Sequence, residues 1–364
     1  MRGPGGGRTI PPVKVTRLLS TAISTALLAG CGPQWGFMIK PVPVDQQLQE
    51  TVIAADPGLF VTDKIAVVDV DGVLLNQRDS GLMGTGENPV SLFVEKIDRA
   101  RADKHVRAVV LRINSPGGGV TASDIMYERL MRLREARDIP VVAIIEDVGA
   151  SGGYYLACAA DTILAHPTST VGSIGVIVQT VSLAGTMKMI GVSAKAVTSG
   201  PRKDMASPLK PLDEEDLAIL QSMVDKYYQR FLDVVTEART LPPGQAAAGA
   251  TEARKALTPE KIRALADGRV YAADQALANG LIDGVGYMDA AIALAKELSG
   301  AKRVKVVVYA RPWGYRPNAY AAAAPADPRT SMQINLLNIS APDLLTLSRP
   351  RFLYLWTGKT FGRR

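Results

Sequence analysis

The sequence predicts an α/β protein in which helices cover a mostly parallel sheet. Short and nearly continuous apolar runs, such as residues 64–70, 107–114 and 140–145, are typical of strands buried on both faces. These runs alternate with amphipathic segments, which is the pattern of β-α-β units. Apolar residues make up 47% and charged residues 21% of the 364 residues, so the chain can form a large core and is not a disordered chain.

Each element follows from its apolar spacing and from the residues at its ends. The strand pattern predicts strands at 64–70, 107–114, 140–145, 161–165, 171–178, 192–197 and 302–309. Helical spacing predicts helices at 90–101, 123–137, 151–160, 183–190, 213–239, 259–266, 272–278 and 288–298. Pro242, Pro243 and Gly244 end the longest helix. No motif occurs twice, so we expect no internal repeat.

Charge and rare residues exclude several classes of protein. Two cysteines cannot build a disulfide framework, and two histidines leave little metal chemistry, so no metal is expected. The net charge of +7 lies at the two ends: residues 1–30 carry four basic and no acidic side chains, and residues 299–364 carry eleven basic and two acidic ones. The middle is net acidic, so no nucleic-acid partner is expected. Basic segments at both ends are typical of contact with an anionic membrane surface; the alternative is that they are solvated tails.

The first thirty residues have the features of a secretory signal. Four basic residues precede a short, moderately apolar stretch at 18–30, which is too short to span a membrane. It ends in Leu28-Ala29-Gly30-Cys31, which resembles the lipobox of bacterial lipoproteins. That resemblance implies a signal peptide over 1–30, lipidation of Cys31 and anchoring on the extracytoplasmic side of the bacterial cell envelope. The proline-containing stretch 31–58 is then a tether. An ordinary signal peptide with a chance cysteine is the alternative.

Two glycine-containing motifs follow predicted strands. Residues 149–153 (GASGG) match G-x-S-x-G, which predicts a nucleophile, Ser151, at a strand-to-helix turn. A serine that merely caps the helix is the alternative for this motif. Residues 114–119 (NSPGGG) follow the strand at 107–114, and their backbone N–H groups could form an oxyanion hole. A tight turn leading into the next helix is the alternative there.

The residue that activates such a serine is better sought among lysines than among histidines. Only His166 follows Ser151, with Asp161 between them, and three members within 16 residues cannot converge across a sheet. His105 lies in a polar helix-to-strand link. A lysine base requires a pKa about three units below the ordinary value near 10.4. The candidates that follow the serine at plausible distance are Lys188, Lys195, Lys203 and Lys210, and spacing does not choose among them.

Several stretches together resemble one known family. They are residues 112–120 (RINSPGGGV), 149–155 (GASGGYY), 170–177 (TVGSIGVI), 199–204 (SGPRKD) and 266–273 (ADGRVYAA). In this order they resemble the signal peptide peptidase SppA family, the Ser-Lys peptidase branch of the ClpP/crotonase-like superfamily. The resemblance implies a spiral core of repeated ββα units with a parallel sheet covered by helices, and a helical C-terminal part. It places a peptidase domain at 59–310 and leaves a basic, partly disordered extension at 311–364, with disorder expected at 316–330.

The resemblance also implies the roles of individual residues. Ser151 matches the nucleophile, Lys203 the general base and Ser173 the serine that orients this lysine. Gly118 matches the glycine whose N–H helps to form the oxyanion hole, and Gly152 is added because it directly follows the nucleophile. No cofactor is implied.

The activity implied is that of a membrane-tethered serine endopeptidase. Its substrates would be cleaved signal peptides or other unfolded apolar peptides outside the cytoplasm. The family likeness further implies a homo-oligomer with active sites at subunit boundaries. Two alternatives stay open: a crotonase-like enzyme that acts on acyl-CoA, and a non-catalytic envelope scaffold with the same fold.

Overall fold

The computed structural model describes residues 47–77, 80–81, 84–85, 87–240, 257–311 and 352–356. All of them belong to one compact unit, Asp45–Arg364. The predicted signal peptide, Cys31 and the stretch 316–330 lie outside the described residues. No helix within the described ranges is both long and apolar enough to cross a membrane.

The secondary structure alternates between strands and helices, as the sequence predicts. The strands are β1 (Gln49–Ala55), β2 (Lys64–Leu74), β3 (Ser80–Gly81), β4 (Gly84–Thr85), β5 (Val106–Gly119), β6 (Val141–Ala150), β7 (Thr162–Ala165), β8 (Thr170–Gly172), β9 (Ile177–Val178), β10 (Val270–Ala272), β11 (Gly284–Val285), β12 (Lys305–Ala310) and β13 (Phe352–Leu355). The helices are α1 (Pro89–Ala102), α2 (Val120–Arg137), α3 (Gly152–Ala157), α4 (Ala184–Met189), α5 (Glu214–Arg239), α6 (Pro259–Leu265), α7 (Ala273–Ala278) and α8 (Met288–Leu298).

One large sheet organises the fold, with the order β1-β12-β2-β5-β6-β7-β11. All neighbours from β12 to β11 are parallel, and β1 is antiparallel to β12 at the edge. The α/β class with a parallel sheet under helices is therefore confirmed. Strands β13 and β8 pair with the carboxyl ends of β5 and β6, and β9 and β10 extend the sheet from β13 and β8.

Alternating side chains of the central strands form two cores, one on each face of the sheet. In β2, Ala66 and Val68 belong to the larger core, whereas Ile65 and Val67 belong to the smaller one. Helices α1, α2, α3 and α5 cover the larger core, and α8 covers the smaller. Because both faces are covered, the strands are apolar at almost every position, which is the pattern that predicts them.

Several predicted segments differ from the structure. Residues 49–55, predicted as tether, form β1, because β12 provides a pairing partner. The predicted strand 171–178 is two strands, β8 and β9, interrupted after Gly172. Residues 192–197 form no strand and are exposed. Within the extension 311–364, residues 352–355 form β13, which pairs with β5 and β9.

Candidate active site

Ser151 stands at a strained turn between β6 and α3. Its φ of 53° and ψ of −115° lie in a region that residues with a side chain rarely adopt. Its N–H donates to the carbonyl of Gly172 at 2.7 Å, and its carbonyl accepts from the N–H of Tyr155 at 2.8 Å. The residue is buried. These bonds hold the serine in the strained conformation, which is the arrangement that presents a nucleophile at the end of a strand.

Glycine backbones surround this turn. A methyl group added to Gly152 would lie 2.4 Å from Ser123 Oγ and 3.2 Å from the Gly118 nitrogen. A methyl group added to Gly117, whose φ is 97°, would lie 2.5 Å from the Gly152 nitrogen. No side chain fits at either position, so glycine is required to bring the two segments together. Two backbone nitrogens, those of Gly118 and Gly152, thereby share a small space next to Ser151.

Ser115 positions the glycine-rich segment, a role for which the sequence analysis did not single it out. Its hydroxyl donates to the carbonyl of Gly72 at 2.6 Å and accepts from the N–H of Gly117 at 3.1 Å. A serine whose hydroxyl accepts from the N–H two residues later forms a recognised side-chain turn. The position of Ser115 two residues before Gly117 could have indicated this role.

Ser173 directly follows the strand that neighbours the one before Ser151. Strand β8 is parallel to β6, with Ala150 opposite Gly172, and the N–H of Ser151 donates to the carbonyl of Gly172 at 2.7 Å. The N–H of Ser173 donates to the carbonyl of Arg269 at 2.7 Å, and its φ is 52°. Both serines therefore sit on strained backbone directly after neighbouring strands.

The four candidate lysines lie in one exposed segment, residues 179–213, which we call the arm. Only Ala206 of the arm is buried. Lys188, Lys195 and Lys203 are exposed, and the Lys203 ammonium donates no hydrogen bond to Ser151 or to any other described residue. The structure thus brings Ser151, Ser173, Gly118 and Gly152 together, and it does not bring Lys203 to them within one chain.

Lys210 is not suited to act as a base. Its ammonium contacts Asp204 at 2.9 Å and Asp216 at 3.0 Å. The hydrogen bond to Asp204, followed by that to Asp216, raises the pKa of Lys210 above its ordinary value. A base needs the opposite change. Arg202 is likewise engaged, because it pairs with Asp213 and Asp216 at 3.0 Å each.

No cluster of three metal-ligating side chains occurs in the described parts of the chain. A buried serine on a strained turn, next to two backbone nitrogens, is the arrangement of a serine hydrolase.

Comparison with known proteins identifies the family within this class. The profile described as Peptidase family S49 matches residues 134–255 and 251–302. A protein of Enterococcus faecium described as "Putative signal peptide peptidase SppA" is 32% identical over 246 residues, which cover 68% of this chain and 67% of that protein. Protease 4 of Salmonella typhi is 34% identical over 239 residues, 66% of this chain but 35% of that protein. The chain belongs to peptidase family S49, the signal peptide peptidase SppA family, and is a serine-type peptidase.

A solved structure also resembles this chain. The membrane-bound stomatin-specific protease 1510-N, in a mutant form bound to a substrate peptide, aligns with a TM-score of 0.42 and 15% identity. The alignment covers 69% of this chain and 94% of that one.

Proposed function

We propose that this chain is a membrane-tethered endopeptidase with a catalytic dyad of Ser151 and Lys203. The observation that carries the proposal is the strained, buried Ser151, whose neighbour Gly152 lies against the backbone of Gly118. Lys203 is favoured as the base because it occupies the position implied by the family resemblance. The engagement of Lys210 by two carboxylates supports this choice.

The chemistry follows from these groups. Ser151 Oγ attacks the carbonyl carbon of a peptide bond, and the neutral amine of Lys203 takes the hydroxyl proton. The N–H groups of Gly118 and Gly152 stabilise the negative charge on the carbonyl oxygen. The lysine returns the proton to the leaving amine as the C–N bond breaks, and water then hydrolyses the ester on Ser151. Ser173 orients the amine of Lys203 through a hydrogen bond.

The dyad forms between two chains in this proposal. Lys203 and the rest of the arm are exposed, and the arm presents large apolar side chains such as Met189, Ile190 and Val197, which are 85%, 68% and 97% exposed. Such a surface is typical of an interface. A neighbouring copy that covers the arm would remove water from the lysine, which favours the neutral amine.

The substrates are cleaved signal peptides or other unfolded apolar peptides at the extracytoplasmic face of a bacterial membrane. The description of the Enterococcus faecium relative supports this class of substrate. Lipidation of Cys31 would hold the enzyme at that face, and a homo-oligomer would place its active sites at subunit boundaries.

The first test is cleavage of a fluorogenic apolar peptide by the full chain between pH 6 and pH 10. We expect Ser151→Ala and Lys203→Ala each to reduce kcat by at least about 10³-fold. Lys195→Ala, an exposed lysine of the same arm, is the matched control and should retain wild-type activity. Full activity of Lys203→Ala would contradict the dyad.

The same preparations discriminate the alternatives. A fluorophosphonate probe should label wild-type Ser151 and leave Ser151→Ala unlabelled. An assembled wild-type protein that neither cleaves peptide nor takes the probe would favour the scaffold. Membership of a peptidase family disfavours the acyl-CoA enzyme, and hydrolysis of an acyl-CoA ester without peptide cleavage would favour it.

A further inference from the structure

The connection between β1 and β2 presents two large apolar side chains to solvent. Leu59 and Phe60 are 86% and 93% exposed. We call residues 57–60 the apolar turn. It lies at the amino end of the sheet, because β2 begins directly after it, whereas Ser151 follows β6 at the carboxyl end. Two adjacent apolar side chains that are almost wholly exposed form a patch, unlike single apolar residues scattered over a surface.

The apolar turn is fixed at both ends. Before it, the Asp56 carboxylate accepts from Lys296 Nζ at 2.7 Å and from the N–H of Val304 at 2.9 Å. The bond from Lys296, followed by that from Val304, lowers the pKa of Asp56, so the carboxylate is charged at neutral pH. After the turn, Val61 is buried. The two apolar side chains therefore project from an ordered turn.

The backbone of the apolar turn is strained. Phe60 has a φ of 58°, which a residue with a bulky side chain rarely adopts. A methyl group added to Gly58 would lie 2.5 Å from Arg303 Nη1, so the arginine side chain packs directly on the turn. Strain at a residue whose ring contributes nothing to the core points to a function for that exposed ring.

Basic side chains surround the apolar turn. The sheet order β12-β2-β5 places the first residues of β12 and β5 on either side of the start of β2. Four exposed basic residues lie at these two strand starts and form no ion pair with another described residue: Lys104, Arg107, Lys302 and Arg303. We call them the basic group.

Acidic side chains near the turn are fewer, or are already paired. Asp56 is bound as described, and Asp103 is bound by Lys64 at 2.8 Å. Two acidic residues without an ion pair among the described residues remain nearby, and two more lie beside β6, the third strand from β12: Asp63 and Glu297, and Glu135 and Asp138. The surroundings of the turn are therefore net positive.

This combination fits an anionic membrane surface. Leucine and phenylalanine side chains bury themselves at the boundary between headgroups and acyl chains, while lysine and arginine contact anionic headgroups. A second copy of the chain fits less well, because a two-fold contact would bring two positive patches together.

We propose that the apolar turn inserts Leu59 and Phe60 into an anionic membrane surface while the basic group contacts its headgroups. The inference rests on the proposed function for the presence of a membrane. It adds an orientation, because Ser151 lies at the opposite end of the sheet. β1 begins at that opposite end. Residues 32–48 can span at most about 60 Å, more than the length of β1, about 23 Å, so a lipid on Cys31 and the turn can reach the same membrane.

The test reads the environment of the turn in the full chain carrying Cys31→Ser, in which Cys158 is buried. Thr62→Cys, at an exposed position next to the turn, carries an environment-sensitive dye. Asp289→Cys, exposed in the first turn of α8 at the carboxyl end of the sheet, carries the same dye in the matched control. The readout is local, so vesicle binding by another segment does not imitate it.

On vesicles of phosphatidylglycerol and phosphatidylcholine, we expect the emission of the dye at position 62 to rise at least about 2-fold and shift to the blue, with no change at position 289. Leu59→Ser combined with Phe60→Ser should abolish the rise, and the fold should persist because both side chains are exposed. Lys104→Gln combined with Lys302→Gln should reduce the rise to that seen on phosphatidylcholine alone.

Unchanged emission on vesicles, an equal rise at the two positions, or an undiminished rise in the double serine variant would each overturn the inference. A smaller assembly of the double serine variant in native mass spectrometry would also overturn it, since the turn would then join copies of the chain. Peptide cleavage is measured separately. A dye response without cleavage would refute the proposed catalysis alone, whereas cleavage without a dye response would refute this inference alone.

Discussion

The backbone of Ser151 is strained. A side chain at φ 53° and ψ −115° costs about 1–3 kcal/mol, which the surrounding hydrogen bonds must offset. The bonds from its N–H to Gly172 and from Tyr155 to its carbonyl supply part of that support. Strain concentrated at one residue of the site is a form of preorganisation.

This strain predicts an order of stability between two inactive variants. Ser151→Gly removes the Cβ and with it the strain, whereas Ser151→Ala keeps both. Although glycine also increases the entropy of the unfolded chain, we expect Ser151→Gly to be about 1 kcal/mol more stable than Ser151→Ala. Urea unfolding at one fixed protein concentration measures the difference. An alanine variant as stable as the glycine variant would show that the turn is unstrained.

At the scale of elements, ion pairs attach the arm to the first turn of α5. Arg202 and Lys210 of the arm both reach Asp216, a fully buried carboxylate in this turn, at 3.0 Å. Burial alone would raise the pKa of Asp216, but the hydrogen bonds from Lys210 and Arg202 outweigh it and lower that pKa below 3.8. The carboxylate is therefore charged at neutral pH and holds both cations.

The lowered pKa predicts how pH acts on this attachment. A carboxyl group whose pKa is lowered in the folded protein stabilises the fold at pH values above its ordinary pKa. This contribution disappears as the pH falls through the folded-state pKa. We expect Asp216→Asn to be less stable than wild type at pH 7, with a difference that shrinks below about pH 3.8. Thermal unfolding at a series of pH values measures it.

Asp289→Asn is the control, since Asp289 is an exposed aspartate in the first turn of α8. A constant difference between Asp216→Asn and wild type from pH 7 to pH 2 would contradict the assignment.

Local pattern predicts most elements, because strands buried on both faces and amphipathic helices carry their signal in their own residues. The two glycine turns are similarly local, since the glycines within 117–119 and 149–153 predict a turn after each strand, whereas only the structure shows that the two turns lie against each other. Residues 192–197 have the composition of a strand, yet they are exposed in the arm and pair with no strand among the described residues, so composition alone misleads there.

Long-range pairing is what the sequence does not reveal. Strand β1 exists because β12, about 250 residues away, pairs with it, and β13 exists because β5 and β9 do. Nothing within residues 49–55 or 352–355 states which strand is the partner. The ring contacts of Tyr354 with Tyr155 and Phe231 therefore cannot be predicted from motifs, although Tyr155 lies within the motif at 149–155.

At the scale of the whole molecule, the two residues of the proposed dyad lie in different surroundings. Ser151 is buried at the end of the sheet, whereas Lys203 lies on the exposed arm. A division of this kind suits a site that is completed by assembly, because the exposed part is available to a neighbouring copy.

Assembly predicts complementation between two inactive chains. In mixed oligomers of Ser151→Ala and Lys203→Ala, some sites receive an intact serine from one chain and an intact lysine from its neighbour. Random mixing in equal amounts should restore about a quarter of wild-type activity if the dyad forms between chains. Peptide cleavage by co-expressed variants measures it. Mixed oligomers that are confirmed by native mass spectrometry and stay inactive would place the dyad within one chain.

Strand β13 lies about 230 residues after β5 in the chain, yet it pairs with the carboxyl end of β5. During synthesis β5 therefore leaves the ribosome long before residues 352–355 do. Until those residues have been made, this end of β5 has no partner in β13, and an unpaired strand edge is open to other extended segments. The part of the sheet next to Ser151 is thus completed late in the synthesis of each chain.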